Sequence, residues 1–139
     1  MMMPAMLAQC SATDRSAIID VIEGMKRARY DKNPRAIAAP YASDAVIFNL
    51  APPLVHHGID LAEIQDWLNT WDGPIEIEAR DFEITVSGDI AFCHGYMRLE
   101  GTKKGVPDRI NFWMRETLCL EREFDSWRIV HEHTSEPVQ

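Results

Sequence analysis

The last stretch of the chain, SWRIVHEHTSEP at residues 126–137, alternates in a way that is typical of a β-strand. Successive side chains of a strand point to opposite faces of the sheet, so every second residue shares a face. One face carries Trp127, Ile129, His131, His133 and Ser135. The other face carries Arg128, Val130, Glu132 and Thr134. Because the second set is the more polar, the alternation predicts that the histidine face points into the protein.

Three earlier strands complete a meander. From Ile75 onward, apolar and charged residues alternate, and the phase of this alternation slips near Arg80 and Asp81. Such a slip predicts a β-bulge, which bends a long strand. The following strands, of which the longest spans 109–123, are separated by the turn sequences SGD (87–89), TKKGVPD (102–108) and FDS (124–126). Long, bulged strands favour a strongly curved sheet.

Helical patterns precede the meander. One helical face is predicted from the spacing of Ile18, Val21, Ile22 and Met25. Thr13 or Asp14 is expected to cap this helix, since either side chain can accept a hydrogen bond from a free amide of the first turn. The motif DKNP at 31–34 ends it, because a proline disfavours helical geometry in the residue before it.

Three more elements lead into the meander. They are a short helix RAIAAPY (35–41), a strand DAVIFNL (44–50) and a third helix over 59–71, with Asp60 near its start. Helices followed by an antiparallel meander are typical of an α+β fold. We expect a curved antiparallel β-sheet wrapped around three N-terminal helices, which leaves a cone with an open mouth. Residues 13–139 are predicted to form this single domain, and residues 1–12 a disordered or loosely attached tail.

Composition and charge argue against several classes of partner. The chain has 139 residues and a formal net charge of -8, and neither nucleic acid nor an anionic membrane attracts an acidic surface. No segment approaches the roughly 20 apolar residues that a membrane span needs. Cys10, Cys93 and Cys119 show no metal-ligand spacing, so we expect reduced thiols in a cytoplasmic protein.

The strand sequences carry a family resemblance. WRIVHEHTSEP, together with AFCHGYMRLEGT (91–102) and FWMRETLCL (112–120), resembles the nuclear transport factor 2-like superfamily. Within it, the chain is similar to the SnoaL-like group, which includes homologues of ketosteroid isomerase, over about residues 14–137. Members share a cone with a cavity, and the resemblance implies one here. The fold hosts isomerases, cyclases, dehydratases and association modules, so the reaction does not follow from it.

Asn49 bears on the chemistry that the resemblance implies. The stretch YASDAVIFNLAPPLVHHG (41–58) is similar to the isomerase segment that carries the catalytic aspartate, and Asn49 takes its place on an ungapped comparison. An amide cannot accept a proton from a substrate carbon, so steroid isomerase activity by that mechanism is not expected. Where the isomerase oxyanion hole has a carboxylic acid, the corresponding strand offers Thr117 and Cys119.

The strand at 109–123 allows two orientations. Its apolar face, interrupted only by Glu116, consists of Ile110, Phe112, Met114, Leu118 and Leu120. In the simplest interpretation this face enters the core and Arg115 points to solvent. The resemblance implies the reverse, with Trp113, Arg115 and Thr117 facing the cavity. A second subunit would then cover the apolar face, because an exposed patch of that size is a liability.

The neighbouring strand offers further candidate ligand-binding residues. By the same resemblance, His94, Tyr96 and Arg98 point inward. A buried guanidinium without a partner is costly. Arg98 and Arg115 therefore imply either an anionic ligand or internal ion pairs with Glu76, Glu78 or Glu100.

His131 and His133 are the predicted catalytic residues, and three interpretations of them stay open. They are hydrogen-bonded core residues, or general acid–base groups, since an imidazole exchanges protons near neutral pH. A metal site with His94 is the least favoured, because no carboxylate lies at ligand spacing, and no metal or cofactor is predicted. Trp67 on the third helix is either a core residue or a stacking surface at the mouth.

Two functions follow from these candidates. The first is a cofactor-independent isomerase, cyclase or dehydratase that acts on a small anionic or carbonyl-bearing molecule. Its proton would be exchanged by a histidine in a pocket shaped by Asn49, Tyr96 and Trp113. The second is a non-catalytic ligand-binding or dimerisation module, similar to the association domain of calcium/calmodulin-dependent kinase II. In either case we expect a small-molecule ligand and a homodimer that forms through the outer face of the sheet.

Overall fold

The computed structural model describes the backbone of residues 3–138 and the side chains of residues 12–138. Its helices are α1 (Met3–Tyr30), α2 (Pro34–Ala38) and α3 (Leu61–Asn69). Its strands are β1 (Tyr41–Phe48), β2 (His56–His57), β3 (Trp71–Ser87), β4 (Ile90–Lys103), β5 (Ile110–Glu123) and β6 (Ser126–Ser135). This order confirms the predicted succession of helices, first strand, third helix and meander.

The six strands form one curved, open sheet in the order β2-β1-β6-β5-β4-β3. Every neighbouring pair is antiparallel except β1 and β6, which run parallel. The sheet curves around the helices, so the predicted α+β class with a curved, mainly antiparallel sheet is confirmed. Among the described residues, no helix is long and apolar enough to cross a membrane.

Helix α1 packs the predicted apolar face against the sheet. Ile18, Ile22 and Met25 are buried, which confirms the face read from the spacing. The helix begins at Met3, so the predicted start at Thr13 or Asp14 is wrong. Asp14 is instead buried against the sheet, where its carboxylate pairs with Arg122 at 2.7 Å.

The predicted loose tail at residues 1–12 stays a prediction. The backbone of residues 3–12 is helical, but the side chains of residues 1–11 lie outside the described part of the chain.

The two shorter helices begin at side-chain caps. The Asn33 side chain accepts a hydrogen bond from the Ala36 amide, and the Asp60 side chain accepts one from the Ala62 amide. An accepting side chain satisfies an amide that has no partner within the helix. The expectation that Asp60 favours the start of the third helix is confirmed.

Two irregularities shape the sheet. In β3 the pairing with β4 shifts between Arg80 and Glu83, and Asp81 has a φ of 58°, which confirms the predicted bulge. In β6 the pairing passes from Leu120↔Ile129 to Cys119↔His131, so Val130 is an extra residue opposite β5. Because side chains alternate with a period of two, one extra residue moves every following side chain to the opposite face.

Candidate functional site

A cavity of about 610 Å³ lies between the helices and the inner face of the sheet. Most of its wall is apolar, including Met25, Ile37, Ile47, Ile59, Ile64, Trp67, Trp71, Ile77, Met97, Leu99, Ile110, Phe112 and Met114. Apolar walls with a few converging polar groups are typical of small-molecule pockets. The polar groups of this cavity fall into two sets, one at its inner end and one around its mouth.

The inner end holds five polar side chains in one network. The Tyr41 hydroxyl donates a hydrogen bond to Glu132 Oε1 at 2.5 Å, and the Thr134 hydroxyl donates one to Glu116 Oε2 at 3.0 Å. The carboxyl groups of Glu116 and Glu132 lie close enough to interact electrostatically. Arg29 lies beside them, with its Nη1 donating to the Met25 carbonyl at 3.1 Å.

Glu116 is the member of the carboxyl pair whose pKa the cavity shifts. Burial raises the pKa of Glu116 well above its usual range, and the negative charge of Glu132 raises it further. Its Oε1 is buried and has no hydrogen-bond partner among the described residues. Burial thus favours the uncharged form of Glu116 inside the cavity.

Tyr41 and Arg29 complement the charge of Glu132. Burial, followed by the charge of Glu132, raises the pKa of Tyr41 well above its usual range, so its hydroxyl stays a donor. Burial alone would lower the pKa of Arg29, but Tyr41 and Glu132 outweigh it and the net direction is upward. The inner end thus sets one guanidinium beside two carboxyl groups and a phenol.

The bulge in β6 creates this arrangement. Before it, Trp127 and Ile129 point into the core, and after it Glu132 and Thr134 point inward instead of the histidines. The register sets Thr134 opposite Glu116 on β5 and Glu132 opposite Leu118. Without the extra residue, the histidines would occupy the inner face.

The mouth of the cavity carries the second polar set. Asn49 and Trp67, two of the predicted ligand-binding residues, lie on the cavity wall. His56 Nδ1 lies 3.6 Å from Glu63 Oε2 and joins β2 to α3. Lys103 also lines this region, with its ammonium 4.5 Å from the ring centroid of Trp71.

The prediction that His131 and His133 face the cavity is wrong, because the bulge at Val130 reverses β6. Both histidines lie on the outer face, where the edge of Phe48 contacts their rings at centroid distances of 5.0 and 5.3 Å. His131 Nδ1 lies 2.7 Å from the Val46 carbonyl oxygen. Neither imidazole can act on a molecule bound in the cavity.

The inward orientation of the other predicted residues on β4 and β5 is also wrong. The outer face of these strands carries His94, Tyr96, Arg98, Trp113, Arg115 and Thr117, none of which lines the cavity. The simplest interpretation of β5 is the correct one, since Met114, Leu118 and Leu120 are buried. Burial of apolar side chains is favourable, whereas burying two guanidinium groups would be costly, so the apolar faces turn inward.

The arginines of this outer face have protein partners. Arg98 pairs with Glu78 at 3.1 Å and with Glu100 at 3.5 Å, two of the carboxylates named as alternatives to a ligand. Arg115 Nε donates to Ser135 Oγ at 3.0 Å. Arg98 therefore has the internal ion pairs and Arg115 is exposed to solvent, so neither guanidinium requires an anionic ligand.

Glu116 and Glu132 were the residues that the sequence-based prediction missed. The signal for Glu116 was its position as the one polar residue on an otherwise apolar strand face. Glu132 gave no such signal, because its orientation depends on a bulge that the alternation in 126–135 does not reveal. Arg29 and Tyr41 lie far from Glu132 in the sequence, and only the folded chain brings them beside it on β6.

The open curved sheet, the helices against its inner face and the cavity between them define a nuclear transport factor 2-like fold. A family model of the SnoaL-like domain matches residues 17–139, and the chain belongs to this family. A search of curated proteins found no match.

Solved structures share this fold over most of their length. A nuclear transport factor 2-like protein of unknown function from Pseudomonas putida KT2440 is 27% identical, with a TM-score of 0.80 over 92% of this chain and 89% of that chain. A protein from Streptomyces avermitilis, provisionally named a dehydratase of the same fold family, is 14% identical, with a TM-score of 0.80 over 92% and 99%. A protein from Shewanella frigidimarina, provisionally named a ketosteroid isomerase, is 22% identical, with a TM-score of 0.67 over 84% and 92%.

Proposed function

We propose that this SnoaL-like protein binds a small carbonyl-bearing molecule in its cavity and moves a proton on it, as an isomerase or dehydratase. Glu116 is the general acid and Glu132 the general base. The observation that carries the proposal is the pair of buried, interacting carboxyl groups at the end of an apolar pocket, of which Glu116 has a pKa raised well above its usual range. Pairs of acids whose environments push their pKa values apart are how enzymes separate acid and base roles at one pH.

The geometry supports a simple proton cycle. Glu116 donates a hydrogen bond to the carbonyl oxygen and stabilises the negative charge that develops there. Glu132 takes a proton from the adjacent carbon and returns it to another carbon, which completes an isomerisation. With a hydroxyl group in the β position, Glu116 instead gives its proton to the departing oxygen, so water leaves and a double bond forms. The proton on Glu132 then restores the pair.

Arg29 and Tyr41 support the base in this cycle. The Tyr41 hydroxyl donates a hydrogen bond to Glu132 and the Arg29 guanidinium lies beside it, so the two groups orient the base and place a positive charge next to it. They also offset the charge of Glu116 when it has given up its proton. Because the inner end sets one guanidinium beside two carboxyl groups, it favours an uncharged carbonyl group over an anion.

Deuterium exchange tests the proposed chemistry directly. Cyclic ketones such as β-tetralone are incubated with the protein in heavy water, and proton NMR follows the loss of signal at the carbon beside the carbonyl. We expect Glu132→Gln and Glu116→Gln each to slow the protein-dependent exchange by about 100-fold, the usual contribution of a positioned acid or base. Glu121→Gln, an exposed glutamate on the same strand as Glu116, is the matched control and should exchange normally.

His131→Ala separates this proposal from the histidine-based alternative. Exchange that depends on His131 but survives Glu132→Gln would overturn the assignment of acid and base. A different result would support a non-catalytic binding module. In that case the ketones bind saturably in a thermal-shift assay, Glu116→Gln weakens this binding, and no exchange occurs.

The same proposal includes a homodimer formed through the outer face of the sheet. Phe92, Tyr96 and Trp113 lie there on adjacent strands and are 46%, 47% and 36% exposed. Aromatic side chains of this kind are enriched at protein interfaces. The face also carries both guanidinium and carboxylate groups, so two copies related by a two-fold axis could place opposite charges against each other. Light scattering should give a dimer for the wild type and a folded monomer for Trp113→Glu; a wild-type monomer would exclude the dimer.

A cytoplasmic location is also part of this proposal. Cys93 and Cys119 are free, and they lie on opposite faces of the sheet, where they cannot pair. Free thiols fit a reducing compartment. Cell fractionation tests this point, and recovery from an oxidising compartment would contradict it.

A further inference from the structure

Nearly every charged side chain on the cavity wall near its mouth has a partner that balances it. Lys26 pairs with Glu23 at 3.2 Å. His56 lies 3.6 Å from Glu63, and the Asp60 carboxylate accepts from the Ala62 amide at the start of α3, at 2.9 Å. These contacts leave little free charge for a ligand.

Lys103 is the exception. Its ammonium donates to Thr70 Oγ1 at 2.6 Å and lies above the ring of Trp71, but no described carboxylate comes within 4.0 Å of it. Burial lowers the pKa of Lys103, as expected of a cation that loses water without gaining an anion. An ammonium has three donors, so this one keeps two for a ligand.

Trp71, whose ring Lys103 covers, also contacts a second cation and a second aromatic ring. The Lys32 ammonium donates to the Trp71 carbonyl at 2.8 Å and likewise has no described carboxylate partner. The rings of Trp67 and Trp71 meet edge to face at 5.9 Å on the cavity wall. In a chain with a net charge of -8, this combination of positive charge and aromatic surface distinguishes one side of the mouth.

We infer that Lys103 binds a carboxylate on the outer end of the ligand, whose uncharged carbonyl end reaches Glu116. This inference rests on the proposed function and adds a substrate class to it, an amphipathic keto acid with an aromatic or alicyclic body. The body packs on the apolar wall and on Trp71. Lys103 thereby determines which end of the molecule enters first. At the inner end, the Arg29 guanidinium already lies beside Glu132, so no cation is free there to bind a carboxylate.

A matched pair of ligands tests the inference. The acid para-acetylphenylacetate and its amide, para-acetylphenylacetamide, share the ketone and the ring and differ in the charge of the tail. We expect the acid to bind about tenfold more tightly than the amide, the usual size of a charge-assisted hydrogen bond. Isothermal titration calorimetry gives both affinities, and quenching of tryptophan fluorescence reports contact with the aromatic wall.

Variants of two adjacent lysines identify which group causes the preference for the acid over the amide. Lys103→Met keeps the apolar stem and should lower the affinity for the acid to that for the amide, while Lys103→Arg keeps most of the preference. Lys104→Met is the control, because Lys104 is exposed and does not line the cavity. High salt should also reduce the preference of the wild type.

The outcomes separate this inference from the proposed function. Equal affinities for acid and amide in the wild type, or a preference that survives Lys103→Met, would overturn the role of Lys103 alone. Failure of Glu116→Gln to weaken either ligand would count against the proposed acid while leaving the carboxylate site supported. Failure of both ligands to bind the wild type would overturn both.

Discussion

Glu116 and Glu100 lie on neighbouring strands of one sheet and behave as different chemical groups. Glu116 points to the inner face, where burial and the charge of Glu132 raise its pKa. Glu100 points to the outer face, where a hydrogen bond from Arg109 lowers its pKa. The comparison shows that the face of the sheet, and not the residue type, determines whether the pKa of a glutamate is raised or lowered.

On the outer face, charged side chains form ion pairs that are exposed to solvent. Arg109 contacts Glu76 at 2.6 Å and Glu100 at 2.8 Å, and Arg80 contacts Glu78 at 2.6 Å. Such exposed pairs contribute little to stability and are screened by salt. On the inner face, buried polar side chains are shielded from bulk solvent, so they interact strongly with one another. Burial there raises the pKa of Glu116, whereas pairing on the outer face lowers that of Glu100.

The largest expected effect comes from placing a charge on the inner face of β5. Leu118 is fully buried, so Leu118→Glu should abolish cooperative folding, at a cost of more than about 4 kcal/mol. Thr117→Glu places the same side chain on the outer face of the same strand and should cost less than about 1 kcal/mol. Circular dichroism and urea unfolding compare the two. A folded Leu118→Glu protein would refute the assignment of faces.

The next effect comes from removing one hydroxyl from each face. Tyr41→Phe leaves Glu132 without its donor and should cost about 1–3 kcal/mol, the penalty for an unsatisfied buried group. Tyr96 is 47% exposed, so Tyr96→Phe should change stability by less than about 0.5 kcal/mol. Urea titrations at neutral pH measure both. Equal losses would mean that the inner network does not stabilise the fold.

The pH dependence of stability sharpens the contrast. Because the pKa of Glu116 is raised on folding, its contribution is complete below the pKa of an unfolded glutamate and is lost as the pH rises through the folded value. The slope reaches at most about 1.4 kcal/mol per pH unit for one proton. Glu116→Gln should remove this loss. The free energy of unfolding of the variant should therefore rise relative to that of the wild type as the pH rises. If the free energies of unfolding of the two proteins changed in parallel with pH, the raised pKa of Glu116 would be contradicted.

Glu100 should show the opposite dependence with the smallest effect. Its folded pKa is lowered, so its contribution is present above the pKa of an unfolded glutamate and is lost as the pH falls. Glu100→Gln should therefore matter only at neutral pH and low salt, and high salt should erase the difference. Thermal unfolding at two salt concentrations checks this. A salt-independent loss would indicate that Glu100 is not an ordinary exposed ion.

The site was less predictable from the sequence than the fold. Asn49 and Trp67 were placed on the cavity wall correctly, since both lie in segments next to the mouth. The orientation of His94 and Arg98 was taken from a family resemblance against the apolar pattern of their own strand, and hydrophobic burial proved the stronger guide. His131 and His133 were placed by strict alternation, which a single extra residue invalidates.

The sequence by itself determined the order of helices and strands, the turns between them and the bulge in β3, because periodicity, caps and turn residues act over a few neighbouring positions. The tertiary structure alone decided that Val130 bulges and that Glu116, Glu132, Tyr41 and Arg29 meet. These choices depend on how β6 pairs with β5 and packs against α1. The energies that select them arise from contacts between residues far apart in the chain, and no local pattern records such contacts.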